Sequence, residues 1–409
     1  MKHGEVILDL GEHLVSGFTN TLQEAFEGNK YPLKLIYDAK LHCPVLTEQP
    51  PFEMMWGEYW YQSGINGKMV NDLRDVVNSV ENIVKPIEKK VWLDIASNDG
   101  TLLKMVDDKF YKVGCDPVQG VIAQLGEANS SKFINDYFSS EKYFENVTKK
   151  ANVITCCAMF YDLQDPLNFL KDVKDCLTQD GIFVFQYTYT ETMYKMGDFM
   201  NICHEHFAYH SFINVNILLM NAGLHVFDVE LNDVNGGSVR IYCSKNEKNK
   251  NISFARQTLG NINICGLSEY ELSQGKLNMS EFIQMIPINR MIFTDYIKNA
   301  KREGKSVWGY GASTKANTLL QYYGLDYEDI EKVAEANSDK FGKFMKGSGI
   351  EICSEEEWRK ASPELTIAFP FQFIDYFVER ENKYLQDGGT FLVPCPKPHL
   401  ITKDGISML

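Results

Sequence analysis

The chain has 409 residues, 44% of them apolar and 23% charged, with 55 acidic against 41 basic side chains and a formal net charge of −14. That balance fits a globular protein of two or three domains and disfavours nucleic acid or an anionic membrane as partner, since no basic block offsets it. No run reaches the ~18 apolar residues of a membrane span, no apolar leader core follows Met1-Lys2-His3-Gly4-Glu5, and ten Cys without a Cys-x-x-Cys pair suit a reducing cytoplasm.

Residues 1–70 are rich in aromatics and prolines, with strand-like alternation over 31–37 and a dense aromatic segment at 57–64 before a helix over 69–84. They read as a small irregular or β-rich cap. From Lys90 the pattern changes. Short apolar strands at 91–95, 111–116, 151–157 and 181–186 alternate with helices from Gly100 and over 166–173, which implies a parallel, doubly wound sheet closed by the polar residues 244–251. A bridging helix is expected over 276–303. A second α/β unit follows, with strands at 306–309, near Val333, at 365–369 and a final one at 390–394. The expected domains are therefore a cap at 1–70, a Rossmann-like α/β domain at 71–250, and a bridging helix with a second Rossmann-like α/β domain at 251–409.

The loop Asp94-Ile95-Ala96-Ser97-Asn98-Asp99-Gly100 joins the first of these strands to its helix, where doubly wound sheets bind ligands. It lacks Gly-x-Gly-x-x-Gly spacing and carries two Asp. An acidic loop suits a ligand with a cationic end, such as S-adenosylmethionine, better than a pyrophosphate. Asp116, followed by Pro117, ends the next strand, where an acid commonly bonds ribose hydroxyls. An acidic N-cap with a turn would give the same local sequence, but Asp116 at this distance favours the cofactor.

Cys203-His204-Glu205-His206, with His210 close behind, concentrates three of the chain's eight His. A metal needs three or four ligands in correct geometry. His-Glu-x-x-His is absent and no second cluster completes a set, so no zinc is expected. A Glu beside a His that titrates near neutrality suits proton transfer better. In the second α/β unit, Gly309-Tyr310-Gly311-Ala312-Ser313-Thr314-Lys315 follows a strand and opens a helix. It reads equally as an anion site using Lys315 or as a structural turn capped by Thr314. Arg240, after Gly236-Gly237, is a candidate phosphate contact or a surface ion pair.

Taken in order, these motifs resemble the S-adenosylmethionine-dependent sugar C-methyltransferases that act on nucleotide-linked 4-keto deoxysugars. The aromatic segment 57–64 resembles the family's Tyr-x-Tyr-x-Ser, residues 94–103 its Ser-Asn-Asp-Gly-x-Leu-Leu loop, and residues 202–206 its His-Glu-His. Gly236-Gly237-Ser238-Val239-Arg240, the 309–315 turn, 339–342 and 388–394 continue the match. The resemblance implies a class I methyltransferase fold and a base, His206, that removes the proton beside the sugar ketone, with Glu205 and His204 in support. Tyr61 would bond the ketone oxygen, and Tyr59, Asp162, Arg240, Tyr310 and Lys315 would contact the substrate.

Asp94, Ala96, Ser97, Asn98, Asp99, Gly100, Asp116 and Pro117 would hold S-adenosylmethionine. A small-molecule substrate, no nucleic-acid or membrane partner, and a monomer or homodimer are implied. Three departures stand out. The Cys pairs of the family's zinc knuckle are missing, the chain starting at a point that looks downstream of the first pair. Asp162 or Tyr161 takes the place of a family His. Cys203 takes the place of a Tyr. The alternatives are an O- or N-methyltransferase of another small molecule or saccharide, or a non-catalytic nucleotide-sugar-binding protein.

Overall fold

The computed structural model describes residues 1–56, 62–65, 67–87, 89–118, 131–247 and 264–409. Its first sheet is antiparallel and made of Val6–Leu14, Lys30–Asp38 and Cys43–Leu46, in that order across the sheet. Alternation buries Leu33 and Leu35 on one face. Between the first two strands the chain leaves the sheet, and Phe18–Thr19 pairs with Phe344–Met345 on the edge of the C-terminal sheet. Leu10, Leu33, Leu35 and Leu46 share a core with Ile286, Phe293 and Tyr323. The N-terminal strands are thus packed into the C-terminal unit.

The second sheet has seven strands. Across it run Ser131–Ile134, Tyr111–Cys115, Val91–Ile95, Ala151–Cys157, Leu177–Thr188, Ser238–Ser244 and His225–Asn232. The first five are mutually parallel, and Ser238–Ser244 lies antiparallel to both its neighbours. The sheet is therefore mixed, where the sequence predicts a purely parallel one. The hairpin was hidden because Ser238–Ser244 is buried along its whole length, Arg240 included, so no period-two polarity marks it. Helices pack on both faces. Asp165 caps Pro166–Cys176 through Asn168 N, and Ser211 caps Phe212–Ala222 through Asn214 N.

The bridging helix runs over Ile264–Arg302, starting twelve residues before its predicted limit. It fastens the two large sheets together. Its Glu271 accepts hydrogen bonds from Phe212 N (2.6 Å), Ile213 N (2.8 Å) and the Tyr189 hydroxyl (2.7 Å), filling the open N–H groups of a helix start. Further along, Phe282, Ile286, Phe293 and Ile297 enter the C-terminal core.

The third sheet has nine strands, with a parallel centre of Glu351–Ser354, Lys332–Glu335, Val307–Tyr310, Leu365–Ala368 and Thr390–Val393. The last of these is not the end of the sheet: His399–Thr402 and Gly405–Met408 add an antiparallel hairpin beyond it. No described helix is long and apolar enough to cross a membrane.

Candidate active site

A cavity of about 380 Å³ opens at the carboxyl ends of Val91–Ile95, Tyr111–Cys115 and Ala151–Cys157. Val91–Ile95 lies between the other two, so the strand order reverses here, and that leaves a crevice above the strand ends. Asp94, Ala96, Ser97, Asn98, Asp116 and Pro117 all line it. The loop turns sharply. Ala96 (φ 55°), Asn98 (φ 47°) and Gly100 (φ 71°) occupy the left-handed region, which costs a non-glycine residue about 1 kcal/mol or more.

Side chains hold this strained loop in place. Asp116 accepts from Asn98 N (2.9 Å) and Val118 N (2.9 Å), and Asn98 Oδ1 accepts from Ser63 N (3.0 Å). The indole N–H of buried Trp92 donates to Thr155 Oγ1 (3.0 Å), whose hydroxyl donates to Asp94 (2.7 Å). Burial, aided by the neighbouring Asp116, pushes the Asp94 carboxyl up to about 7. Ser97 Oγ is buried with no partner among the described residues. Asp99 and Gly100 do not line the cavity. Asp99 accepts from Gly64 N (2.8 Å) and Thr101 N (3.1 Å), and Gly100 turns the chain into the helix Thr101–Met105.

Glu205 and His206 line the same cavity. The His-Glu-His motif lies on a turn closed by His206 N to Cys203 O (3.2 Å), neither strand nor helix. The strand Cys43–Leu46 pins the segment that follows, through Leu46 N to Phe207 O and Tyr209 N to Pro44 O. His206 Nδ1 sits 2.7 Å from the Asn201 carbonyl oxygen. A carbonyl only accepts, so Nδ1 carries the proton and Nε2 keeps the lone pair. Tyr161 packs on the imidazole at 4.3 Å between centroids. Burial, with the Lys315 ammonium second, holds the imidazole down to about 3, well below the near-neutral titration expected from the sequence, while burial pushes Glu205 up to about 7.

His204 points the other way. It is buried outside the cavity lining, and its Nε2 donates to the Tyr31 carbonyl (3.2 Å). His210 packs against Asn214 and Phe160. Potential ligand atoms of Cys203, Glu205 and His206 do come within 4.8 Å of one another, but the Lys315 ammonium acts on all three, a poor setting for a second cation.

Asp162 and Lys315 also line the cavity, and Asp162 Oδ1 is buried without a partner among the described residues. Burial and the nearby Glu205 push its carboxyl well up. Two of the residues read as substrate contacts lie elsewhere. Arg240 is buried outside the cavity lining, with Nε on Gln186 (2.9 Å) and its other nitrogens on Asp72 (3.0 Å), Asp75 (2.6 Å) and Glu230 (3.2 Å). It is a buried ion pair, where the sequence suggested a phosphate contact or a surface pair. Tyr310 is likewise buried, its hydroxyl taken up by Glu355 (3.0 Å), Glu381 (3.0 Å) and Arg380. Ser313, not Thr314, caps the following helix.

Tyr59 and Tyr61 lie outside the described residues. Sequence reasoning did not single out Asn201, whose carbonyl sets the His206 tautomer, or Gln49, which donates to the carbonyls of His204 (3.1 Å) and Glu205 (3.4 Å). Lone amides carry no sequence signal of this kind.

The strand order and the acidic loop at the strand ends define a class I methyltransferase, and the family comparison agrees. Residues 68–229 match the family described as a methyltransferase domain, and residues 233–396 match that described as the C-methyltransferase C-terminal domain. The protein is thus an S-adenosylmethionine-dependent methyltransferase in which a match to a methyltransferase domain is followed along the chain by a match to a C-methyltransferase C-terminal domain.

Over 380 residues it is 25% identical to the C-methyltransferase NovU of Streptomyces niveus, covering 91% of this chain and 88% of NovU. Similar solved structures include an S-adenosylmethionine-dependent methyltransferase of Clostridium acetobutylicum (TM-score 0.33, 14% identity, 44% of this chain and 92% of that one). The magnesium protoporphyrin IX methyltransferase ChlM of Synechocystis is another (TM-score 0.35, 11% identity, 47% of this chain and 91% of that one).

Proposed function

We propose that this enzyme methylates the carbon beside the ketone of a nucleotide-linked keto deoxysugar, with His206 as the base. The observation that carries this reading is that one cavity is lined both by a neutral imidazole of fixed tautomer and by the acidic cofactor loop. The residues of that loop fit the cofactor. Asp94 and Asp116 offer carboxylates to an ammonium and to ribose hydroxyls, and Ser97 offers a buried hydroxyl in need of a partner. S-adenosylmethionine, when bound, supplies a methyl group on a sulfonium.

The protein's part is to create a carbanion and keep water away. His206 Nε2 takes the proton from the carbon, while Nδ1–H stays bonded to Asn201 O and steadies the ring as it becomes cationic. Glu205, half-buried beside it, provides a carboxylate in the same cavity. Phe52, Met55, Trp56, Met69 and Leu73 line the cavity as well, which lowers the local dielectric.

The direct test uses a nucleoside-diphosphate-linked 4-keto deoxysugar in D₂O without methyl donor. The expected result is exchange of the hydrogen beside the ketone, followed by a new C–CH₃ signal once S-adenosylmethionine is added. Methylation of an oxygen or nitrogen with no exchange would overturn the carbon-acid reading.

Cofactor affinity should also depend on pH. Asp94 has to be ionised to pair with the cofactor's ammonium, and its carboxyl is pushed up to about 7. Below that pH, binding must release a proton. The dissociation constant is therefore expected to rise about tenfold per pH unit as pH falls below 7, and to level off above 8. Calorimetry at several pH values reads this directly, and an affinity independent of pH between 6 and 8 would remove Asp94 from the ammonium.

A further inference from the structure

The cavity is strongly acidic. Asp94, Asp116, Asp136, Asp162 and Glu205 line it, and among its described lining residues Lys315 is the one lysine or arginine. Lys315 does not come from the methyltransferase sheet. It sits in the first turn of Thr314–Tyr323, the helix after the first central strand of the C-terminal sheet. From there its Nζ reaches across and donates to the Asn201 side-chain oxygen. Asn201 in turn donates its amide to Asp198, and its backbone carbonyl receives His206 Nδ1–H. One buried asparagine thus fixes both the base and the ammonium. Asp198 is itself fully buried, so the arrangement is held from behind.

We infer that Lys315, contributed by the C-terminal domain, is a catalytic residue whose ammonium stabilises the enolate oxygen, with Asn201 and Asp198 as positioning residues. This rests on the enolate reading above. When the C–H bond breaks, the proton goes to His206 Nε2 and the electron pair moves through the carbon–carbon bond onto the ketone oxygen. That oxygen then carries a charge in a cavity where, among the described lining residues, Lys315 is the one lysine or arginine that can meet it. A fixed cation in a water-poor cavity is what the developing charge requires, and no reorganisation is needed to supply it. A single lysine is also a weak basis for a diphosphate site, which ordinarily gathers several donors. The groups around His206 are Lys315 from the C-terminal domain, Glu205 and Cys203 from its own turn, and Tyr161 from the short helix Phe160–Asp162, whose Asp162 lines the same cavity beside Glu205.

The test compares the parent enzyme with Lys315→Met and Lys315→Arg. Three quantities are read: hydrogen exchange of a nucleoside-diphosphate-linked 4-keto deoxysugar in D₂O, the dissociation constants of that sugar and of S-adenosylmethionine, and the His206 titration by NMR. In Lys315→Met, exchange and kcat are expected to fall about 10²–10³-fold. Both dissociation constants should stay within a few-fold, which also verifies folding, and the His206 titration should move to higher pH as the neighbouring cation disappears. Lys315→Arg should recover part of the rate.

A rise in the sugar's dissociation constant with kcat unchanged would overturn the assignment and make Lys315 a substrate-binding contact. So would an unmoved His206 titration. A parent enzyme that neither exchanges nor methylates the keto sugar would instead overturn the carbon-acid reading, and this role of Lys315 with it. Loss confined to Lys315→Met leaves that reading standing.

Discussion

Replacing His206 with Asn is expected to lower methyl-transfer turnover by about 10²–10⁴-fold while S-adenosylmethionine affinity stays within a few-fold of the parent. The choice of Asn is deliberate. Its amide N–H can take the place of Nδ1–H toward the Asn201 carbonyl, so the turn keeps its hydrogen bond, and only the basic Nε2 is lost. His204 serves as the internal control. It donates to the Tyr31 carbonyl and does not line the cavity, so His204→Gln, which keeps a donor at the far end of the side chain, should retain turnover within a few-fold. Steady-state kinetics with calorimetry of the cofactor checks both. Equal losses in the two variants would assign the motif a structural role, and full activity in His206→Asn would remove His206 as base.

Arg240→Ala should destabilise the protein by about 3–5 kcal/mol, because it strands the buried Asp72 carboxylate and removes one of the partners of Glu230, which keeps the Tyr242 hydroxyl. Asp72 is 8% exposed, and Gln186 Nε2 (2.6 Å) is the other side-chain donor it has in this cluster. Burial already pushes the Asp72 carboxyl up despite the arginine, a sign of how much the pairing must offset. The double change Arg240→Met with Asp72→Asn removes both buried charges together and should recover much of the loss. Equilibrium denaturation measures this. An unchanged stability with a raised KM would restore Arg240 as a substrate contact.

Arg240 and Lys315 show where sequence reading stops. Both follow glycine-rich turns and both read as anion contacts. The chain fold sends one into a buried ion pair on the methyltransferase sheet and the other across a domain boundary into the cavity. Nothing local separates them, because the difference lies in what each side chain meets after several hundred residues have packed. The same holds for His204 and His206. They stand two apart, and only the turn closed from His206 to Cys203, together with Cys43–Leu46 beside it, sends one to Tyr31 and the other to the cavity.

The sequence by itself determined the alternation of strands and helices, the acidic loop at the end of Val91–Ile95, and the clustering of Glu205 and His206. Those signals are local: apolar period, turn chemistry and residue identity are written within a few positions. The tertiary structure alone decided that Ser238–Ser244 runs antiparallel inside the sheet, that N-terminal strands share the C-terminal core, and that Lys315 stands beside His206. Each of these depends on contacts between residues far apart in the chain, and the free energy of such contacts comes from burial and pairing that no short window of sequence contains.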